Sequence, residues 1–297
     1  MSPRTRSLGG FVLLVLVWAY NWIVSKNALA YVGAFDFAAY RSLLGSVTLF
    51  GVMLCTGRLA PLPPFGPSLL LGLLQTTGFM LLMTLALLGG GAGKVAVLAF
   101  TMPFWTLLWA RIFLAEQIVG GQWLAILLAA AGLLAILDPL HMHGSMLSKF
   151  LAVSAGACWA AATVYAKLLR GRMRFDVLTL TGWQMALGTI PLFIACWTVP
   201  QQPLQPEPYF WFALFYSGVL ASGLGWLMWM RLLQHLSAGA ASLNALAIPA
   251  VAVLAAWLEH GERPAPHELL GMLLVALALV LLSYLAAQRE KIGEAPA

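Results

Sequence analysis

Long apolar stretches, separated by short polar connections, recur along the whole chain. About ten such windows are visible, and each is close to the roughly 20 helical residues that cross a bilayer core about 30 Å thick. Only 9% of the 297 side chains are charged and 62% are hydrophobic, a composition far from that of soluble domains. The pattern predicts an all-α integral membrane protein. The windows lie near 8–30, 36–56, 68–88, 91–112, 119–137, 149–169, 176–197, 209–232, 238–258 and 267–287.

Basic residues flank these windows instead of clustering on one face, which argues against a nucleic-acid partner despite the net charge of +6. With a cytoplasmic amino terminus, all Lys and Arg residues lie on the cytoplasmic side except Lys26, Arg41, Lys94, Lys149 and Arg263. Because short cytoplasmic loops are rich in Lys and Arg, this distribution predicts ten spans with both termini in the cytoplasm. The expected location is a bacterial inner membrane.

The two halves of the chain share residues in the same order and at the same intervals. Trp18 precedes Lys26 as Trp159 precedes Lys167. The other correspondences pair Phe35-Asp36 with Phe175-Asp176, Gly72 with Gly218, Ala92-Gly93 with Ala238-Gly239, Pro103 with Pro249, and Glu116 with Glu262. They predict two repeats, 1–140 and 141–297, of five helices each. An odd number of crossings inverts the second repeat, an arrangement that recurs in secondary transporters, although a duplicated scaffold without transport is the alternative.

The chain resembles the EamA-like, ten-helix branch of the drug/metabolite transporter (DMT) superfamily. Ala92-Gly93, the run LAFTMP at 98–103 and Glu116 carry the resemblance, with a degenerate second copy through Pro249 and Glu262. Within that branch the chain is most similar to YddG-type exporters of aromatic amino acids. The resemblance implies alternating access through a cavity lined chiefly by the first, third, fourth, sixth, eighth and ninth spans. Related carriers move other amino acids, metabolites or drugs, so a multidrug or metabolite exporter is the alternative.

Aromatic and polar side chains share helix faces in those spans, since residues three, four and seven apart lie on one side of a helix. Such faces suit a solute with an aromatic ring and polar ends. The alternative for each ring is a position facing lipid or the membrane interface. The predicted substrate-binding residues are Trp18, Asn21, Gln75, Phe79, Phe100, Trp159, Thr163, Trp226 and Asn244.

Prolines and charged residues suggest moving parts. Pro103 and Pro249 fall within apolar windows, where proline removes a helical hydrogen bond, so both are predicted hinges, although proline is also common in membrane helices. Lys26 and Lys167 lie near the corresponding ends of repeat-related spans, at opposite faces of the membrane, and are possible gates. Like Arg41, they are close enough to span ends for simple snorkelling to the interface.

No Asp or Glu falls at the centre of a predicted span, which favours facilitated, gradient-driven export over tight proton coupling. The run Gly89-Gly90-Gly91-Ala92-Gly93-Lys94 lacks the hydroxyl residue that follows the lysine of a phosphate-binding loop, and no HExxH motif is present. We therefore predict a carrier without metal, cofactor or enzymatic activity. Its predicted partners are a small-molecule substrate and the lipid bilayer. A channel and a membrane-embedded enzyme are the rival functions.

Overall fold

The computed structural model describes residues 3–59, 61–115, 117–118, 120–137, 145–172, 176–229, 247–261 and 263–292. These residues form helices joined by short connections, and they contain no strand. The helices are α1 (Pro3–Ala28), α2 (Ala34–Cys55), α3 (Phe65–Gly89), α4 (Ala92–Phe113), α5 (Gly121–Leu137), α6 (Met146–Arg172), α7 (Val177–Thr198), α8 (Pro208–Trp229), α9 (Ala247–His260) and α10 (Pro266–Ile292).

Six of these helices, α2, α3, α4, α6, α7 and α8, are long and apolar enough to cross a membrane by length and composition. Shorter apolar stretches occupy Val12–Ala28, Gly121–Ile136, Val251–His260 and Pro266–Leu281. Large hydrophobic side chains cover the outside of the bundle, as Leu127 illustrates with 64% of its surface exposed. Lipid, not water, solvates such a surface, and helices satisfy their own backbone groups there. The chain is a multi-pass membrane protein.

Glycines lie where some helices cross with their backbones in contact. Where α5 crosses α10, a Cβ on Gly132 would lie 2.7 Å from the carbonyl oxygen of Gly271, and one on Gly271 would lie 2.6 Å from that of Gly132. Gly72 of α3 and Gly188 of α7 are in equally intimate contact. Small residues let membrane helices approach until their backbones touch, and the resulting van der Waals contact holds them together without a hydrophobic driving force.

Helix pairing follows a regular scheme. The carboxyl-terminal half of α4 packs on α6, and α9 packs on α1. In the same way α3 contacts α6 and α7, while α8 contacts α1 and α2. Three further pairs, α2 with α7, α4 with α9 and α5 with α10, join helices of equal rank in the two halves. Each of these contacts in one half thus has a counterpart in the other.

Within the described parts of the chain, α3, α4 and α8 depart from regular α geometry near their centres. α3 widens into a π-helix over Leu73–Met80, and α8 does so over Tyr216–Leu224. α4 is interrupted at Phe100 and Thr101, between Ala92–Ala99 and Met102–Phe113. Such irregularities leave backbone groups outside the usual hydrogen-bond ladder and concentrate at functional sites.

Candidate functional site

Five aromatic residues that the sequence singled out meet at the centre of the bundle. The ring of Trp159 lies 5.8 Å from that of Trp18, 5.0 Å from Phe79, 5.6 Å from Phe100 and 5.4 Å from Trp226, centroid to centroid. All five are buried, with at most 8% of their surfaces exposed. These distances are those of favourable edge-to-face and tilted aromatic pairs. We call this set, from α1, α3, α4, α6 and α8, the aromatic cluster.

Two further tryptophans extend the cluster. Trp229 lies 5.6 Å from Trp18 and 6.4 Å from Trp159, and Trp22 lies 6.4 Å from Phe100. Sequence reasoning did not include either among the substrate-binding residues. Trp229 could have been predicted from its spacing, because it follows Trp226 by three residues and therefore shares its helix face.

Trp18 packs against α8 where the π-helical segment of that helix ends. A Cβ on Gly225 would lie 2.5 Å from the indole nitrogen of Trp18, so the ring rests directly against the helix backbone. That Nε1–H donates a hydrogen bond of 2.9 Å to the carbonyl oxygen of Ala221. A ring from the first half of the chain is thereby fixed to a helix of the second half.

Polar groups near the cluster remain without partners. Asn21, one helical turn beyond Trp18, is 6% exposed, and its Oδ1 accepts no hydrogen bond. The indole Nε1–H of Trp159 likewise finds no acceptor. Most buried polar groups are hydrogen-bonded, so one unused acceptor and one unused donor in a buried region need an explanation. A polar solute would supply one.

The remaining predicted binding residues differ in their surroundings. Gln75 is buried within the π-helical segment of α3, one turn before Phe79. Thr163 is half-buried and donates to the carbonyl oxygen of Trp159 at 3.0 Å, a contact within its own helix. Asn244 falls outside the described residues.

The two prolines that sequence analysis predicted as hinges occupy different positions. Pro103 lies in the first turn after the interruption of α4. Because proline has no N–H, it cannot donate a hydrogen bond to the carbonyl oxygen of Ala99. That carbonyl packs against Gly156 of α6. Pro249 is buried near the first described residue of α9. Their role as hinges stays a prediction.

The two repeat-related lysines also differ. Lys26 Nζ donates to the carbonyl oxygens of Leu87 and Gly90, at 2.6 and 2.9 Å, where α3 ends. A lysine there satisfies carbonyls that have no helical partner and complements the helix dipole. Lys167, in contrast, is exposed near the end of α6. A gating role for either lysine stays a prediction.

Polar contacts tie helices together at one end of the bundle, which we call the latched end. It contains the carboxyl termini of α1, α3, α7 and α9 and the amino termini of α2, α4, α6, α8 and α10. Asn27 contacts Glu259 at 3.3 Å and His260 at 2.7 Å, which joins α1 to α9. Lys94 and Glu268 form an ion pair of 2.6 Å between α4 and α10.

The connection after α7 closes over the same end. Gln202 donates to the carbonyl oxygens of Leu29 and Val32, both at 2.8 Å, and Gln201 accepts from the backbone amide of Phe35 at 2.8 Å. A cleft of about 470 Å³ lies beside this connection. Its walls are formed by Asp36, Tyr40 and residues 196–204.

Comparison with known proteins shows what this chain is similar to. The sequence model of the EamA-like transporter family matches residues 6–138 and again residues 146–284. An uncharacterized transporter of Bacillus subtilis (strain 168), YoaV, is 23% identical over 95% of this chain and 98% of its own length. A probable amino-acid metabolite efflux pump of Escherichia coli (strain K12) is 25% identical over 90% and 91%.

A further Bacillus subtilis protein, the uncharacterized transporter YvbV, is 28% identical over 95% of this chain and 92% of its own length. The fold also matches a solved crystal structure with a TM-score of 0.68 at 18% identity, over 97% of this chain and all of the other. At that identity the likeness concerns the fold. The names of these relatives indicate transport rather than enzymatic catalysis.

Proposed function

Because the chain belongs to the EamA-like transporter family, we propose that it is a carrier that exports small amphipathic solutes, foremost aromatic amino acids, across a bacterial inner membrane. The aromatic cluster is the observation that supports this substrate class. Its rings come from helices of both halves and meet in the buried centre of the bundle. Aromatic side chains bury large apolar areas against one another, so a solute that carries an aromatic ring would pack favourably there.

The proposal includes ten crossings, arranged as two inverted five-helix repeats with both termini in the cytoplasm. The family model supports it by matching the chain twice. The regular helix pairing supports it too, since exchanging the halves turns the contact of α1 with α9 into that of α6 with α4. The π-helical segments of α3 and α8 hold corresponding places. Inverted repeats of this kind present one central site to either side in turn.

Amino acids are the favoured solutes for two reasons. A relative in Escherichia coli is a probable amino-acid metabolite efflux pump. The unpaired oxygen of Asn21 and the unpaired indole N–H of Trp159 also offer an acceptor and a donor, which fit the polar end of an amino acid. We propose exchange driven by the solute gradient, because the aromatic cluster itself contains no group that titrates near neutral pH.

Counterflow in proteoliposomes tests the proposed function. Vesicles loaded with unlabelled L-phenylalanine should accumulate labelled L-phenylalanine faster and further than protein-free vesicles, with saturation and competition by L-tyrosine and L-tryptophan. Unsaturable flux would instead favour a channel. Uphill accumulation driven only by an imposed pH gradient would contradict gradient-driven exchange.

Replacement of Trp159 by Leu tests the site itself. Its ring contacts Trp18, Phe79, Phe100 and Trp226. A solute ring packed on Trp159 would lose one aromatic pair, worth about 0.5–1.5 kcal/mol, so we expect roughly two- to thirteenfold weaker apparent affinity. The matched control is Trp123→Leu on α5, where half of the ring is exposed on the outside of the bundle. Equal losses in the two variants, at equal expression, would remove the cluster from the transport site.

A further inference from the structure

Arg41 is a buried cation inside a helix bundle that lipid surrounds. It lies in the second turn of α2 and is only 4% exposed. Its closeness to a span end predicts snorkelling to the interface, and that prediction is wrong, because the side chain turns inward between α1 and α8. Charged groups at such depth are expensive and usually face a partner or a polar pathway.

The contacts of Arg41 do not neutralise its charge. Nε and Nη2 donate to Ser222 Oγ at 3.3 and 3.2 Å, and Nη1 donates to Ser25 Oγ at 3.3 Å. The guanidinium carbon also lies 5.8 Å from the ring centroid of Phe37. Among the described residues no carboxylate comes within 4 Å of it. Two neutral hydroxyls at long hydrogen-bond distances therefore hold a group that presents five N–H donors.

The guanidinium lies on the same boundary between α1 and α8 as part of the aromatic cluster. Ser222 directly follows Ala221, whose carbonyl oxygen accepts the indole N–H of Trp18. Ser25 lies one turn beyond Asn21 on the same face of α1, since residues four apart are neighbours on a helix surface. Arg41, the unpaired oxygen of Asn21 and the rings thus occupy one stretch of the boundary between α1 and α8.

We propose that Arg41 is the carboxylate-binding residue of the transport site, and that the preferred solutes are aromatic carboxylic acids and amino acids rather than amines. The inference rests on the proposed function. A carboxylate would accept two parallel N–H bonds from the guanidinium, the strong geometry that arginine favours, while the ring of the solute packs in the aromatic cluster. In an amino acid, the Asn21 oxygen then accepts an N–H from the ammonium group.

Three probes distinguish the contribution of the carboxylate from that of the ammonium group. They are L-phenylalanine, 3-phenylpropionate, which lacks the ammonium group, and phenethylamine, which lacks the carboxylate. Each competes with labelled L-phenylalanine in counterflow. Wild-type protein should be inhibited by 3-phenylpropionate at concentrations about tenfold or more below those needed for phenethylamine, because a charge-assisted hydrogen-bonded pair is lost with the amine. Equal inhibition by the two would overturn the assignment.

Substitution of Arg41 supplies the second arm. Arg41→Met should abolish the preference for the acid, and Arg41→Lys should restore part of it, since lysine keeps the charge but not the fork of donors. The control is Arg111→Met, an exposed arginine in the last turn of α4, which should leave the preference unchanged.

Thermal unfolding in detergent tests whether the role of Arg41 is merely structural. Replacing a buried charge that has no counter-ion with an apolar side chain is neutral or stabilising, so Arg41→Met should unfold at the wild-type temperature or above. A lower unfolding temperature in both Arg41 variants, with the preference for the acid retained, would mean that Arg41 is structural and would contradict the proposal.

If wild-type protein exchanges none of the three probes, the proposed function fails, and the assignment of Arg41 fails with it. Exchange without preference refutes the role of Arg41 alone.

Discussion

Trp18 shows how one residue connects the two halves of the molecule. It belongs to α1, yet its indole N–H is bonded to Ala221 of α8 and its ring packs on Trp226 at 5.2 Å. The contact depends on Gly225, because any side chain there would occupy the space of the indole nitrogen. The position of Trp18 therefore depends on a residue that itself contributes no ring.

Replacement of Gly225 by Ala tests that dependence. The added methyl group must displace Trp18, so we expect a loss of about 1–3 kcal/mol in the free energy of unfolding, with weaker binding of L-phenylalanine. Gly51→Ala is the control, because a Cβ at Gly51 in α2 meets nothing within 4 Å and removes a flexible glycine from a helix. It should stabilise the protein by about 0.5–1 kcal/mol. Denaturant unfolding in detergent measures both, and equal effects would show that Gly225 is not tightly packed.

Sequence reasoning could find the rings but not the buried cation. Trp18, Phe79, Phe100, Trp159 and Trp226 were predicted from family resemblance and shared helix faces, and the structure brings all five together. A ring has one obvious preference, burial beside other rings. The side chain of a cation near a helix end can extend to the membrane interface or turn into the bundle, and the local sequence does not distinguish the two.

For Arg41 the deciding partner is Ser222, which is 181 residues away in the chain. Helix periodicity places Ser222 on the same face as Trp226, four residues later, but it does not show which side chain of another helix that hydroxyl contacts. Its role depends on which face of α8 meets α2, and helix packing alone sets that face.

At the scale of the elements, the interrupted helix α4 and the continuous helix α7 make a useful pair. Both contain a proline within an apolar window, but α7 continues through Pro191 whereas α4 is interrupted just before Pro103. Proline alone is thus not sufficient for a break. In α4 the backbone on the amino side of the break packs against Gly156, which gives the irregular carbonyl of Ala99 a place to fit.

The element boundaries themselves were largely predictable. The window 36–56 compares with Ala34–Cys55, and 176–197 compares with Val177–Thr198, because a long apolar stretch in lipid has little choice but to form a helix. The π-helical segments of α3 and α8 were not predicted. They depend on contacts with neighbouring helices rather than on local composition.

If Pro103 acts as a hinge, Pro103→Ala should slow exchange several-fold while leaving equilibrium binding of L-phenylalanine unchanged. The alanine N–H would restore a helical donor and stiffen α4 at the point where bending is needed. Pro191→Ala in α7 is the matched control and should leave the exchange rate near that of wild type. Stopped-flow exchange and equilibrium binding, measured on the same preparations, separate rate from affinity. Equal rates in both variants would contradict the hinge.

At the scale of the whole molecule, polar contacts join the two halves of the chain at the latched end. Contacts from Asn27 to Glu259 and His260, the ion pair of Lys94 with Glu268, and the two glutamines after α7 all lie at the latched end. The proposed topology places this end on the outer face of the membrane. Export by alternating access requires that these contacts break and re-form once in each cycle.

Cross-linking the latched end tests whether transport proceeds by alternating access. In a background without Cys55, Cys158 and Cys196, cysteines at Asn27 and His260, whose side chains are 2.7 Å apart, would be joined by a short cleavable bis-maleimide. Single-cysteine variants treated in the same way are the control. The joined protein should still bind L-phenylalanine but lose counterflow, and counterflow should return when the linker is cleaved. Counterflow at the full rate in protein shown by mass spectrometry to be completely joined would contradict it.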